Sequence, residues 1–379
     1  MTGRDTVAIV GVGTTPFREL YQARDVQRSA YDLAAQATVA AIEDAGLEKD
    51  AIDGLIVARL GSYVRMADML GLRRPKWCHL LEGAGRMSAV AVQIAAAAIE
   101  AGHAETIALI YGNNGRSAGA RYGGDGGPSP TGVYDTAFGM TSPGAYVALM
   151  YERYREMYGV PDLALAPLAI NNRKNAMLND GAVMQTPLTE EMYGQSRYIA
   201  EPLRLYDYCL INDGAVALIV TTTKRAKAMG RPFATISSTA AIGDLTNFYT
   251  SPDFFYGSCQ AVASKVYSDA GIKRSDVKAA QIYDNFTPTI LFSLEGFGFC
   301  PQGESWKWVD GGRIELGGEL PLNTSGGHTS ESYMQGWAMH AEAVRQLRGE
   351  AGARQVPDCD VVQYICASPI VASHILRRG

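Results

Sequence analysis

Ala40 to Ala58 reads AAIEDAGLEKDAIDGLIVA, and Lys265 to Tyr283 reads KVYSDAGIKRSDVKAAQIY. Aligned without gaps, the two stretches share Asp44/Asp269, Ala45/Ala270 and Gly46/Gly271. They match in type at Leu47/Ile272, Lys49/Arg274 and Ile52/Val277. Each predicts a helix stopped by glycine, a short polar turn and an apolar strand, which is half of an α/β crossover. A second correspondence supports the first. Met87 to Gly112, MSAVAVQIAAAAIEAGHAETIALIYG, is an alanine-rich helix, a glycine stop and a strand; WAMHAEAVRQLRGEAG followed by VVQYICA repeats that plan near the C-terminus. Two halves with one helix-strand order predict a duplicated α/β architecture whose small-residue helices are sandwiched between sheets.

The 379 residues exceed one ordinary core and fit two domains. The division falls into an N-terminal half, 1–230, carrying a loop insertion over about 112–200, and a C-terminal half, 231–379. Within the insertion, GNNGRSAGARYGGDGGPSPT (Gly112 to Thr131) has neither helix nor strand period and is long enough to be functional or interface-forming. With 47% hydrophobic and 19% charged residues and a net charge of -5, the chain has the composition of a globular protein. It lacks the basic footprint that nucleic acid or an anionic membrane surface requires. The N-terminus shows no signal-peptide core, and no apolar run reaches the roughly 18 residues of a membrane span, so a cytoplasmic protein is expected.

The six cysteines form no CxxC pair, and the five histidines show no ligand spacing. Neither a disulfide framework nor a metal site is expected. HExxH, GxSxG and Walker motifs are absent, and AIVGVGTTPF has the wrong spacing for a dinucleotide fingerprint. The remaining chemistry sits in PLNTSGGHTSESYMQGWAMHAEAVRQL (Pro321 to Leu347), a hydroxyl-rich turn running into a helix, where backbone amides are left unpaired.

EPLRLYDYCLINDGAVALIVTT (Glu201 to Thr222) resembles the block that closes the first half of sterol-carrier-type thiolases, and PLNTSGGH with AEAVRQLRG resembles their second block. IYDNFTP (Ile282 to Pro288) occupies the place of their His-Asp-Cys-Phe or Asn-Glu-Ala-Phe motif, and YICASP (Tyr364 to Pro369) that of their C-terminal cysteine. The resemblance spans the chain in order. It implies a thiolase fold, a duplicated five-layered αβαβα architecture with two mixed sheets, a dimer, and acyl-CoA substrates held near two inward-pointing helix N-termini.

Three departures decide the chemistry. The helix position where thiolases carry their nucleophilic cysteine falls on Gly83, which cannot form an acyl-enzyme. The Gly-His-Pro whose histidine activates that nucleophile is missing; Tyr333 reaches the turn before the helix instead, and His328 lies nearby out of register. Tyr283 replaces the His or Asn that heads the third motif. Read alone, each tyrosine is an ordinary core side chain; together they replace two hydrogen-bonding or basic groups.

A site with no nucleophile but the same substrate shape suits retro-aldol cleavage of a β-hydroxyacyl-CoA, with Tyr283 and Tyr333 sharing the proton transfers. Because free tyrosine titrates near ~10, a helix N-terminus or donors to the phenolate would have to lower a pKa. Turn amides over Ser325 to Gly327 are candidates to hold the enolate oxygen. His328, Asn285, Asp284, Asn323, Gly326, Gly327 and Cys366 are the candidate substrate or oxyanion contacts.

This pattern is similar to the steroid side-chain-cleaving aldolases of the thiolase superfamily. The similarity implies cleavage of a 17-hydroxy steroid C-20 carboxyl-CoA to a 17-ketosteroid and propionyl-CoA. It also implies a heterotetramer formed by a homodimer with a small OB-fold and zinc-ribbon partner. No cofactor is expected in this chain: CoA belongs to the substrate, and any zinc to the partner. Two rivals stay open, a thiolase-like acyltransferase using Cys78 and a non-catalytic acyl-CoA- or lipid-binding subunit.

Overall fold

The computed structural model describes residues 5–23, 26–81, 87–120, 135, 137–244 and 253–379. The strands are β1 (Val7–Thr14), β2 (Gly54–Ala58), β3 (Trp77–Leu81), β4 (Thr106–Asn113), β5 (Tyr198–Ala200), β6 (Leu203–Arg204), β7 (Gly214–Thr222), β8 (Ala234–Gly243), β9 (Ala279–Ile282), β10 (Val361–Cys366) and β11 (Ile370–Arg378). β5 and β6 form a small hairpin, and the other nine run in the order β3-β2-β4-β7-β1-β8-β11-β10-β9. The duplication is visible in that order. β2 pairs parallel with β3 and β4, whereas β7 is antiparallel to β4 and β1. In the second half β9 pairs parallel with β10, and β11 is antiparallel to β10 and β8. Leu322 adds a parallel bridge to Ala280, in the place that β3 holds beside β2. The two mixed half-sheets meet along three residue pairs, Val7–Ile9 of β1 with Ala234–Ile236 of β8.

Both repeated helices end as their sequences require. Ala30–Ala45 stops at Gly46 and Tyr256–Ala270 at Gly271, each in the left-handed conformation that a Cβ disfavours. A short 3-10 turn and β2 or β9 follow each. Ala30–Ala45 packs on β1, β7 and β4, and Tyr256–Ala270 on β8 and β11. Between the half-sheets lie Met87–Glu100 and Trp337–Arg348, both of which touch strands of the two halves. The layers are therefore helix, sheet, helix, sheet, helix. Alanines at 91, 95, 338, 341 and 343 are buried in this central layer and let the sheets approach.

The glycines of VGVG serve the same packing. A Cβ on Gly11 would fall 2.2 Å from the Ala41 carbonyl oxygen, and one on Gly13 2.0 Å from that of Ala37. No helix among the described residues is long and apolar enough to cross a membrane. Position 230 falls between the helix Thr223–Ala228 and β8.

Candidate active site

β9 ends at Ile282, and the ladder runs one residue further, where the Tyr283 amide donates to the Ile365 carbonyl (2.8 Å). Asn323 holds this strand end from the side. Its Oδ1 accepts the Ile282 amide (2.7 Å), and its Nδ2 donates to the Ile282 carbonyl (3.0 Å). Tyr333 comes from the other side, in the chain between the π-helical turn Gly327–Glu331 and the helix Trp337–Arg348. Its amide donates to Asn212 Oδ1 (2.7 Å). The two tyrosine hydroxyls thus meet, with Oη atoms 3.2 Å apart. Both side chains are buried, beside Tyr364 and Cys366.

His328 wedges the pair from behind. Its ring meets that of Tyr283 at 4.7 Å and 75° and that of Tyr333 at 5.1 Å and 89°. Its Nε2 accepts the Gly336 amide (2.7 Å), so that nitrogen holds no proton, and Nδ1 faces Asp284 Oδ1 at 3.1 Å. Asp284 is fully buried and anchors the opening segment. Its Oδ1 also accepts the His328 amide (2.9 Å), and its Oδ2 accepts Asn172 Nδ2 (2.6 Å).

The asparagines of the helix Ala166–Met177 extend this support. Asn171 and Asn175 donate to the Leu322 carbonyl, and Asn179, just past the helix, to that of Ser325. Sequence reading missed this layer, although NNRKN in an otherwise apolar helix was its signal.

The tyrosine pair borders a cavity. Val147, Met150, Phe255, Phe286 and Phe292 make much of it apolar, while Tyr208, Cys209, Asn285 and Ser368 add polar edges. The helix Pro143–Tyr158 and Tyr208 supply walls that sequence reading did not assign; Tyr208 sat unused within the YDY of the quoted Glu201–Thr222 block.

The nine candidate residues divide sharply. Tyr283, Tyr333 and Asn285 line the cavity. His328, Asp284, Asn323 and Cys366 lie behind its wall, the last with Sγ 3.4 Å from Ser368 Oγ. Gly326 and Gly327 also lie behind, packed so tightly that a Cβ would fall 2.7 Å from that of Ala176 and 2.4 Å from Asp284 Oδ2. In this turn the Gly326 amide donates to the Asn323 carbonyl (2.8 Å) and the Ser325 carbonyl accepts from Asn179, and none of residues 325–327 lines the cavity. Gly83 lies outside the described residues. Phe255, just before the helix Tyr256–Ala270, reaches the cavity.

At Tyr283 the pKa shift runs upward. Burial, with Tyr333 alongside, pushes Tyr283 well above the ordinary tyrosine range, because an apolar wall disfavours the phenolate. Cys78 lies on the edge strand β3, away from the cavity, and burial raises its thiol. Cys209 does border the cavity, yet burial and Asp284 raise it too, which is the wrong direction for a nucleophile.

Comparison with known proteins places this arrangement in a class. The family described as "Thiolase C-terminal domain-like" matches residues 241–371. Acetyl-CoA acetyltransferase from Syntrophomonas wolfei shares the fold at a TM-score of 0.72, with 16% identity and full coverage of both chains. The class is the thiolase superfamily.

Within it, a steroid side-chain-cleaving aldolase of Thermomonospora curvata is 37% identical over 90% of this chain and 90% of its own. The 17-hydroxy-3-oxo-4-pregnene-20-carboxyl-CoA lyase of Mycobacterium tuberculosis is 34% identical over 90% and 91%. A solved structure titled Ltp2-ChsH2(DUF35) aldolase superposes at a TM-score of 0.90, with 33% identity, covering 99% of this chain and 98% of its own. This chain belongs to the steroid side-chain-cleaving aldolase family, and it is a carbon-carbon lyase acting on a CoA thioester.

Proposed function

We propose that the protein cleaves a 17-hydroxy steroid C-20 carboxyl-CoA into a 17-ketosteroid and propionyl-CoA, with Tyr283 and Tyr333 moving the proton. The observation that carries the reading is the hydroxyl pair, 3.2 Å apart, bordering an apolar cavity. In one concerted shift the substrate hydroxyl gives its proton to one tyrosine oxygen, that tyrosine passes its own to the other, and the other releases its own toward the α-carbon. The C–C bond breaks, its electrons enter the thioester enolate, and the second tyrosine protonates the carbanion. The proton removed from oxygen is balanced by the one delivered to carbon. Neither tyrosine need be ionised at rest, which agrees with the raised Tyr283. Asn285 is the candidate oxyanion contact that borders the same space. His328, through its ring contacts, holds the tyrosines in place.

The same reading takes residues 1–230 and 231–379 as the two thiolase-like halves and Gly83 as the vacated nucleophile position. It includes a cytoplasmic homodimer joined by a small OB-fold and zinc-ribbon protein in a heterotetramer, with zinc held by that partner. The similar Ltp2-ChsH2(DUF35) aldolase, with its DUF35 component, supports a small partner. The test is co-expression with the genomic neighbour and assay of ketone and propionyl-CoA release. Binding of the steroid CoA thioester without products, or a mass shift on Cys78 or Cys209 after acyl-CoA exposure, would overturn the proposal.

A further inference from the structure

Resting on the aldolase reading, we infer that Tyr208 is a further catalytic residue, which donates to the thioester oxygen as it becomes an enolate. A thioester enolate needs donors at its oxygen. No residue of the turn 325–327 lines the cavity, so donors are sought among the groups that do. Thr289 Oγ1 is occupied by the Tyr283 and Phe286 carbonyls, and Ser368 Oγ by the Ile370 carbonyl. Of the two hydroxyl protons of Tyr283 and Tyr333, one lies between the oxygens and the other serves the proton relay. Tyr208 Oη, by contrast, is a buried hydroxyl with no hydrogen-bond partner, and the acceptor Asn285 Oδ1 near it in the wall is likewise unpartnered. Leaving such a group unpaired costs about 1–3 kcal/mol, which a ligand bonding to it would recover.

These two residues are also held as one unit. Residues 207–209 run antiparallel beside 285–287, with a bridge between Tyr208 and Phe286. The Cys209 amide donates to the Asn285 carbonyl (3.0 Å) and the Thr287 amide to that of Asp207 (3.1 Å). Asp207 locks this ladder further, accepting from Thr287 Oγ1 (2.6 Å), Tyr193 Oη (2.8 Å) and the Arg204 amide (2.7 Å). The Tyr208 ring stands edge-on to Phe286, with centroids 5.0 Å apart. Its tip lies against Gly144, where a Cβ would fall 2.6 Å from Oη. A glycine in the first turn of a helix is otherwise a poor choice, and here it leaves room for the phenol. The hydroxyl stays a neutral donor, since burial, with Asp207 beside it, pushes its pKa up to about 12.

The experiment follows exchange of the propionyl-CoA α-protons in D2O by mass spectrometry, using the full chain co-expressed with its genomic neighbour. This exchange needs enolate formation but no steroid and no bond cleavage. The expected result is exchange by wild type and at least 10-fold slower exchange by Tyr208→Phe, with propionyl-CoA affinity changed less than 3-fold. Gly144→Ala, which keeps the hydroxyl but displaces it, is expected to slow exchange similarly. Exchange in Tyr208→Phe within 2-fold of wild type would overturn the role of Tyr208 while leaving the aldolase reading intact. If wild type neither exchanges propionyl-CoA nor cleaves the hydroxyacyl-CoA, both fall together.

Discussion

If Tyr283 and Tyr333 act as one relay, a double-mutant cycle on their hydroxyls will be strongly non-additive. The Oη atoms lie 3.2 Å apart, and neither proton can travel the full path without both oxygens. Removing either hydroxyl with phenylalanine is expected to lower turnover by about 10²–10⁴-fold, the usual contribution of a positioned acid or base. That corresponds to about 2.7–5.4 kcal/mol of lost transition-state stabilisation. Independent residues would multiply to about 10⁴–10⁸-fold in the double variant. A relay predicts instead that the double variant falls within about 10-fold of the worse single one, because the second change breaks a path already broken.

Stability should move less. Each single change removes the one hydrogen bond between the two hydroxyls, at a cost of about 0.5–1.5 kcal/mol. The assay is release of propionyl-CoA at saturating substrate, with urea denaturation run in parallel. Near-normal turnover in both single variants would refute the assignment. Additive losses would refute the relay and leave two separate residues.

Other consequences follow from the burial of titratable groups and the packing of the opening segment. Burial, with Glu342 nearby, raises the Glu331 pKa from 4.5 to about 7 while Ser325 and Asn179 hydrogen-bond it. Its folded pKa exceeds the unfolded one, so its contribution to stability is full below about pH 4.5 and declines by about 3 kcal/mol up to pH 7. Glu331→Gln should therefore gain about that much relative to wild type between pH 4.5 and 7.5 in paired urea titrations; a constant difference would refute it.

Tyr151, Tyr154, Tyr193, Tyr256, Tyr283 and Tyr364 are all raised by burial. Above pH ~10 the unfolded chain releases protons that the folded chain keeps, so stability falls by about 1.4 kcal/mol per unit for each. The phenolate absorbance contributed by these six should appear in one step with loss of helical circular dichroism; its gradual appearance with the helix signal intact would contradict this. Asn323 has φ +47 and two bonds to Ile282. Asn323→Ala should destabilise by about 2–4 kcal/mol through lost bonds and left-handed strain. A direct role in binding would show instead as a raised KM with unchanged stability.

The site was legible where a side chain replaces another in a recognisable frame. Tyr283 and Tyr333 stood out because each falls where a related enzyme carries a hydrogen-bonding or basic group. His328 drew notice through its residue type, but its ring nitrogens are directed to Gly336 and Asp284 rather than to the cavity. Gly326 and Gly327 drew notice through the turn they form, but their close packing against Ala176 and Asp284 could not be read from it. Tyr208 carried no signal, because nothing in YDY tells which hydroxyl is bonded and which faces a cavity.

What the sequence determined by itself was local or repeated. Glycine stops at 46, 102, 271 and 349, the period of the helices and the alanine-rich central pair fixed the elements and their duplication, since each depends on neighbours within a few residues. Tertiary structure alone decided that two hydroxyls 50 residues apart in sequence meet at 3.2 Å. It alone decided that 207–209 runs beside 285–287, and that burial raises Tyr283 rather than lowering it. Those outcomes depend on distance and on the exclusion of water by residues remote in the chain, and neither is encoded in any one stretch.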